Sequence, residues 1–267
     1  DLLGGAAGSG GLVLCDERGK VTELDARTGG VLSEATLGQP IRSCVVSADS
    51  ARLRGAGDAK PLVQQLEEAV SVDDPELAAW QKVLLRELAA IPEASVTKTL
   101  IDLASDTRTS PDLLVDARAA IAKRRSGAEY MEAALKRHFD YLKDVLRSPP
   151  VGPIADALGA MNAKSAAPLL AAHLLDPNDT EDDIKQTAAA LAVLAGPSEV
   201  PAMRQFFAMY RATAADDDIA MAVVSVGQAL IALQGKLGHT LVEGAVNDAM
   251  TVPYVREHLA EPEGAAP

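Results

Sequence analysis

The residues of this 267-residue chain with chemistry to offer are two cysteines, four histidines and two acidic runs. Two cysteines, Cys15 and Cys44, cannot complete a tetrahedral zinc site alone, and no Cys-x-x-Cys occurs. Two readings stand: one disulfide closing a 30-residue loop, worth ~3–4 kcal/mol in the chain-entropy picture, or two separate buried thiols. His138, His173, His239 and His258 have no metal-ligand spacing, and there is no His-Glu-x-x-His. The run Asp176-Pro177-Asn178-Asp179-Thr180-Glu181-Asp182-Asp183 lacks the glycine and terminal Glu of an EF-hand loop. It and Asp216-Asp217-Asp218 both fall just before helical patterns, where carboxylates cap free N–H groups and favour the dipole. No Gly-x-Ser-x-Gly, Cys–His arrangement or paired catalytic carboxylates can be singled out. No catalytic, cofactor-binding or metal-ligating residue is therefore assigned, no cofactor is expected, and the chain is read as not an enzyme.

Two groups could instead bind a macromolecule. Residues 118–147 hold Arg118, Lys123, Arg124, Arg125, Lys136, Arg137, Lys143 and Arg147 against Glu129, Glu132, Asp140 and Asp144. This basic stretch is either a solvated helix surface or a docking patch for an acidic partner, with Arg124, Arg125, Lys136 and Arg137 the candidates. Met203, Phe206, Phe207, Met209 and Tyr210 crowd one helix. They are core between helices unless Phe207 or Tyr210 reaches the surface as a binding anchor, aromatics being enriched at hot spots. The rest of the charge opposes nucleic acid. Net charge is −13, almost all of it after residue 57, and such a surface repels phosphate backbones and anionic lipid.

The elements that position these residues change character near residue 58. Residues 1–11 are read as a flexible linker, on the composition Gly-Gly-Ala-Ala-Gly-Ser-Gly-Gly of residues 4–11. Residues 12–57 then read as a small antiparallel β meander. Leu12–Cys15, Lys20–Asp25, a run through Val31, Leu32 and Leu37, and Ile41–Ser47 are the strands, separated by Gly-rich turns. The run Gly19 to Leu32, with Leu24, Asp25, Thr28, Gly29, Val31 and Leu32 in place, resembles one blade of a PQQ-type β-propeller. Ser33 stands where that family usually has its docking Trp. The resemblance implies blade geometry, not quinone binding, and one blade cannot close a propeller. Further blades are expected upstream in a longer parent chain unless the sheet packs on the helices. Because such modules are common in bacterial envelopes, the resemblance also favours the Cys15–Cys44 disulfide.

From residue 58 to 260 the apolar period becomes helical. Leu62, Val63, Leu66 and Val70 predict one helix. Asp73-Asp74-Pro75-Glu76 starts a second through Leu77, Trp80, Leu84, Leu88 and Ile91. Ser95–Ser105 is a third, Ser110-Pro111-Asp112 opens one reaching Arg125, and Gly127 precedes one ending near Arg147 before Pro149-Pro150. An internal repeat follows. Ala157-Leu158, Ala190-Leu191 and Ala229-Leu230 recur at intervals of 33 and 39 positions, as stacked helix pairs do. Pro168, Leu174, Leu175, Asp176, Ile184, Ala188, Ala189, Leu191, Leu194 and Gly196 are laid out as in the HEAT-repeat family. Ile184-Lys185 stands where that family usually has Val-Arg. The resemblance implies an α-solenoid of antiparallel helix pairs. Iron-binding HEAT enzymes use repeated His-Glu pairs, and here the single adjacent pair, Glu257-His258, is reversed.

The expected protein is thus mainly α, a HEAT-like solenoid preceded by a small β meander, with residues 261–267 a disordered tail. Its expected function is a non-enzymatic protein-binding scaffold or adaptor of a bacterial cell-envelope or extracytoplasmic assembly. An accessory subunit that positions a catalytic partner is the alternative, and a HEAT-type nucleic-acid enzyme is disfavoured by charge. No apolar run approaches the roughly 18–20 residues of a membrane span, and no signal peptide is visible. Beginning at Asp1 rather than Met, the chain is expected to be a processed product or part of a longer one.

Overall fold

The computed structural model describes the backbone of residues 2–7, 11–16, 20–25, 31–36, 45–47, 50–52, 59–71, 77–137, 148–214 and 217–260; within the strands it describes the side chains of Lys20 and Val31. The protein is mainly helical and divides into two compact units, Asp1–Ile91 and Pro92–Pro267.

In the first unit β1 (Leu2–Ala7), β2 (Gly11–Asp16), β3 (Lys20–Asp25) and β4 (Val31–Thr36) form an antiparallel sheet in that order. Leu12 lies opposite Leu24, and Cys15 opposite Val21. Residues expected as a linker therefore contribute a strand. Gly4 and Gly5 pair with Cys15 and Leu14, because a glycine-rich backbone extends readily when an apolar strand offers its free edge. β5 (Val45–Ser47) and β6 (Ser50–Arg52) make a separate two-stranded sheet, so the fourth expected strand does not extend the first sheet.

Two helices complete the unit, α1 (Ala59–Ser71) and α2 (Ala78–Ala90). They pack on each other through buried Leu62, Leu66 and Ala69 and buried Leu84, Leu85 and Leu88. The Gln81 amide donates to the Ala69 carbonyl at 2.9 Å. The division falls between Ile91 and Pro92, so α1 and α2, packed on one another, both belong to the first unit. α2 starts at Ala78, with no side-chain cap from Leu77; the acidic start expected at residues 73–76 lies outside the described residues.

The second unit contains α3 (Ala94–Ser105), α4 (Pro111–Ala122), α5 (Ala128–Leu135), α6 (Val151–Ala160), α7 (Ala167–His173), α8 (Glu181–Leu194), α9 (Val200–Tyr210), α10 (Asp217–Gln234), α11 (Lys236–Val246) and α12 (Pro253–Ala260). α4 begins as its sequence dictates: the Ser110 hydroxyl accepts from the Leu113 N–H, Pro111 takes the first turn, and Asp112 follows. Each of α3, α5, α7 and α9 packs on the helix that follows it in the order of the chain. Each also packs on the next of its own set, giving a row α3–α5–α7–α9 beside a row α4–α6–α8–α10.

Small residues set the spacing between rows and neighbours. A Cβ on Gly159 would sit 3.6 Å from the Ala190 Cβ, so α6 and α8 are in van der Waals contact there. Leu158, Leu191 and Leu230, aligned by the internal repeat, are all 0 % exposed. Among the described residues α10 is long and apolar enough to span a membrane by length and composition, with a mean hydropathy of 1.3. It escaped the sequence expectation because Ser225 and Gln228 interrupt its run. In this unit it is a packed helix, with Ile219, Val223, Val226 and Leu230 buried against its neighbours.

Candidate functional site

The turn between α7 and α8 gathers a cluster of hydrogen-bonded polar side chains, because α7 ends and α8 begins on residues that need partners. α8 begins with Thr180 as N-cap. Its hydroxyl oxygen accepts from the Asp183 N–H, and its hydroxyl proton goes to Asp183 Oδ2 at 2.8 Å. The other oxygen, Oδ1, leaves α8 altogether. It accepts from the Arg118 guanidinium of α4 at 2.6 Å and from the Gly152 N–H in the first turn of α6 at 2.7 Å. One buried carboxylate thus joins three helices and caps α6, while Thr180 caps α8. Glycine at 152 leaves room for this contact, since a Cβ there would press on the Asp183 carboxylate and displace the Gln186 amide.

Beside this crossing lies His173, the last residue of α7. Its Nε2 is 2.8 Å from the carbonyl oxygen of Leu135, which ends α5, and its Nδ1 is 2.9 Å from Asp179 Oδ2. The two side chains are 1 % and 2 % exposed. Burial works against the imidazolium. The Asp179 hydrogen bond and charge, the Leu135 carbonyl and the Asp176 charge outweigh it and raise the His173 pKa above its ordinary value. Burial also raises the Asp179 carboxyl, against the opposing pull of His173. The pair shares a proton, so both directions say that this proton is held tightly.

Asp176 completes the cluster, its Oδ1 accepting from the backbone and side-chain N–H of Asn178 at 2.9 Å. Donor atoms of His173, Asp176 and Asp179 lie within 4.8 Å of one another. Sequence spacing had assigned no ligand set to these residues. The geometry is that of a charge-assisted pair, with each ring nitrogen already facing an oxygen, and a metal ion would have to displace the Nδ1 proton. Burial keeps the pair away from solutes, which confines its chemistry to holding and losing a proton.

The residues singled out for docking are divided by the structure. Arg124 is 5 % exposed, so its assignment to a surface patch is corrected. Its guanidinium donates to Thr97 Oγ1 (2.8 Å), the Glu93 carbonyl (2.6 Å) and Ser126 Oγ (3.0 Å), holding the start of α3 to the α4–α5 turn. Burial lowers its pKa from the ordinary arginine value. Phe207, at 1 % exposed, is core rather than an anchor; it lies against Gly227, where a Cβ would meet its ring. Tyr210 is half-buried, its ring 4.8 Å from that of Phe206.

Arg125, Lys136 and Arg137 are exposed. Arg125 folds back on the Ala122 and Arg124 carbonyls at the end of α4, and Arg137 lies 3.7 Å from Asp102. Arg125 precedes α5, whereas Lys136 and Arg137 follow it, so the three are separated by that helix. Lys143 and Arg147, the side chain of Cys15 and all of Cys44 lie outside the described residues, and with them the expected disulfide and the tail at 261–267.

Sequence reasoning missed the two polar joints. His173 and Asp179 are six positions apart across a helix end, a spacing with no motif attached, and Arg118 and Asp183 are 65 apart. Comparison with known proteins adds no identity: no family model and no curated protein matches the chain.

Proposed function

We propose that this chain is a non-enzymatic scaffold that binds a protein partner through a HEAT-like solenoid in its helical unit. The observation that carries the reading is the pairing of α3, α5, α7 and α9 each with the following helix, and the packing of successive pairs into a row α3–α5–α7–α9 beside a row α4–α6–α8–α10. Polar contacts in the same stack recur at the repeat interval. Ser165 to Glu132 and Lys185 to Asp218 each span 33 positions. Such stacks leave long outer surfaces suited to extended contacts. The antiparallel sheet β1–β4 fits a propeller-type blade preceding the helices, in keeping with an extracytoplasmic assembly.

The candidates for the contact are the exposed Arg125, Lys136 and Arg137 and the half-buried Tyr210. The test is affinity capture with the intact chain against an extract of its source, read by mass spectrometry, beside the variant Arg125→Glu/Lys136→Glu/Arg137→Glu and the variant Tyr210→Ala. A protein held stoichiometrically by the wild type and released by one of these variants, with helical circular dichroism unchanged, is the expected result. Retention of nothing beyond control resin would overturn the scaffold reading. Equal retention by all three proteins would remove these four residues from the contact.

A further inference from the structure

The bridge from Leu135 through His173 to Asp179 works only in one protonation state, and that state is a property of its geometry. The Leu135 carbonyl can only accept, so Nε2 must carry a proton to bond it at 2.8 Å. The contact between Nδ1 and Asp179 Oδ2 at 2.9 Å then needs a second proton, on the ring or on the carboxyl. If that proton passes to solvent, two lone pairs are left facing each other. With the remaining proton on Nε2, the clash is between Nδ1 and the Asp179 carboxylate. With it on Nδ1, the clash is between Nε2 and the Leu135 carbonyl. Either way one of the two contacts is lost, and no water reaches groups 1 % and 2 % exposed to replace it while the joint stays closed.

Among the described residues, the charged groups acting on the ring come from the turn, Asp179 and Asp176. α8 contributes Asp183, which acts on Asp179, and α5 contributes only its terminal carbonyl. A cation is favoured at that helix end by the dipole of α5. We propose that His173 and Asp179 form a proton-operated clasp that fastens the end of α5 to α7 and to the turn entering α8, and that opens this joint as pH rises. The clasp is closed while the pair holds its second proton. Its stabilising contribution is complete below the ordinary histidine pKa and is lost as pH rises through the higher value of the folded protein.

Two measurements on the intact chain test it. The first compares the pH dependence of the melting temperature between wild type and Asp179→Asn. An asparagine amide donates to a neutral Nδ1 without titrating, so the variant keeps the bridge at every pH. Between pH 6 and 9 the wild type is expected to lose about 2–4 °C or more relative to the variant. Parallel curves would overturn the clasp. The second needs no variant: nitrogen-15 shifts of the His173 ring across the same range. Loss of the second proton together with faster amide exchange at the end of α5 and in residues 174–180 is expected. His173 ring shifts that do not change between pH 5 and 9, the range in which the pair must give up its second proton, would sink the proposal. So would zinc ions that raise the melting temperature of the wild type and are lost on His173→Gln, because metal would then hold the Nδ1 position.

Discussion

A carboxylate taken out of water needs donors, and Asp183 has three of them on two oxygens: Arg118, the Gly152 N–H and the Thr180 hydroxyl. Its side chain is 6 % exposed and that of Arg118 is 26 % exposed. Asp183→Ala strands a partly buried guanidinium and an uncapped helix end, and is expected to lower stability by about 3 kcal/mol. Arg118→Ala should cost less, because the carboxylate keeps two donors. Urea unfolding of the two variants checks the order; an Asp183→Ala loss no larger than that of a surface control such as Asp112→Ala would refute the three-helix joint. His173 and Arg124 obey the same rule. Each is a polar side chain whose worth comes from the acceptors around it, at Leu135 and Asp179 in one case and at Glu93 and Thr97 in the other.

At the scale of elements, close approach between neighbours is managed by glycine, and the consequences differ along one helix. Gly235 joins α10 to α11 at φ +53° and ψ −122°, a backbone state that side-chain-bearing residues avoid. A Cβ on Gly238 would run into the backbone of Leu230 and Ile231, so α11 lies directly on the last turns of α10. Gly244, on the same helix, has nothing within 4 Å of its would-be Cβ. Gly235→Ala and Gly238→Ala are each expected to destabilise by about 1–3 kcal/mol. Gly244→Ala should stabilise by roughly 0.4–1 kcal/mol through helix propensity and lost unfolded-state freedom. Chemical denaturation of the three variants reads the sign directly, and a loss at Gly244 as large as at Gly238 would contradict the tight α10–α11 contact.

For the whole molecule, the division into Asp1–Ile91 and Pro92–Pro267 means that each part has its own set of internal contacts. The second contains a buried core running from Val96 to Val255. Residues 92–267 produced alone are therefore expected to be helical and to melt cooperatively. A fragment lacking a cooperative thermal transition in circular dichroism would show that the helical unit depends on the first ninety or so residues.

Sequence alone determined much of the helical part. The apolar period placed Leu84, Leu88, Leu100, Leu158, Leu191 and Leu230 inside, and all are buried at 1 % exposure or less. Ser110-Pro111 marked a helix start to the residue. These signals are local: a period or a cap is written within a few turns of chain, and it acts on backbone groups close by. Which polar side chains are interior was decided only by tertiary structure. Arg124 sits between Lys123 and Arg125 with the same charge as both, and its burial comes from Glu93 and Thr97, 31 and 27 positions away. The strand at residues 2–7 was read as linker because glycine is silent about extended pairing until a partner edge is in place. The fates of His173 and Asp183 were likewise set by Leu135 and Gly152, which arrive from other helices. Burial of a polar group depends on which surfaces meet, and that is a property of the assembled helices rather than of any segment of the chain.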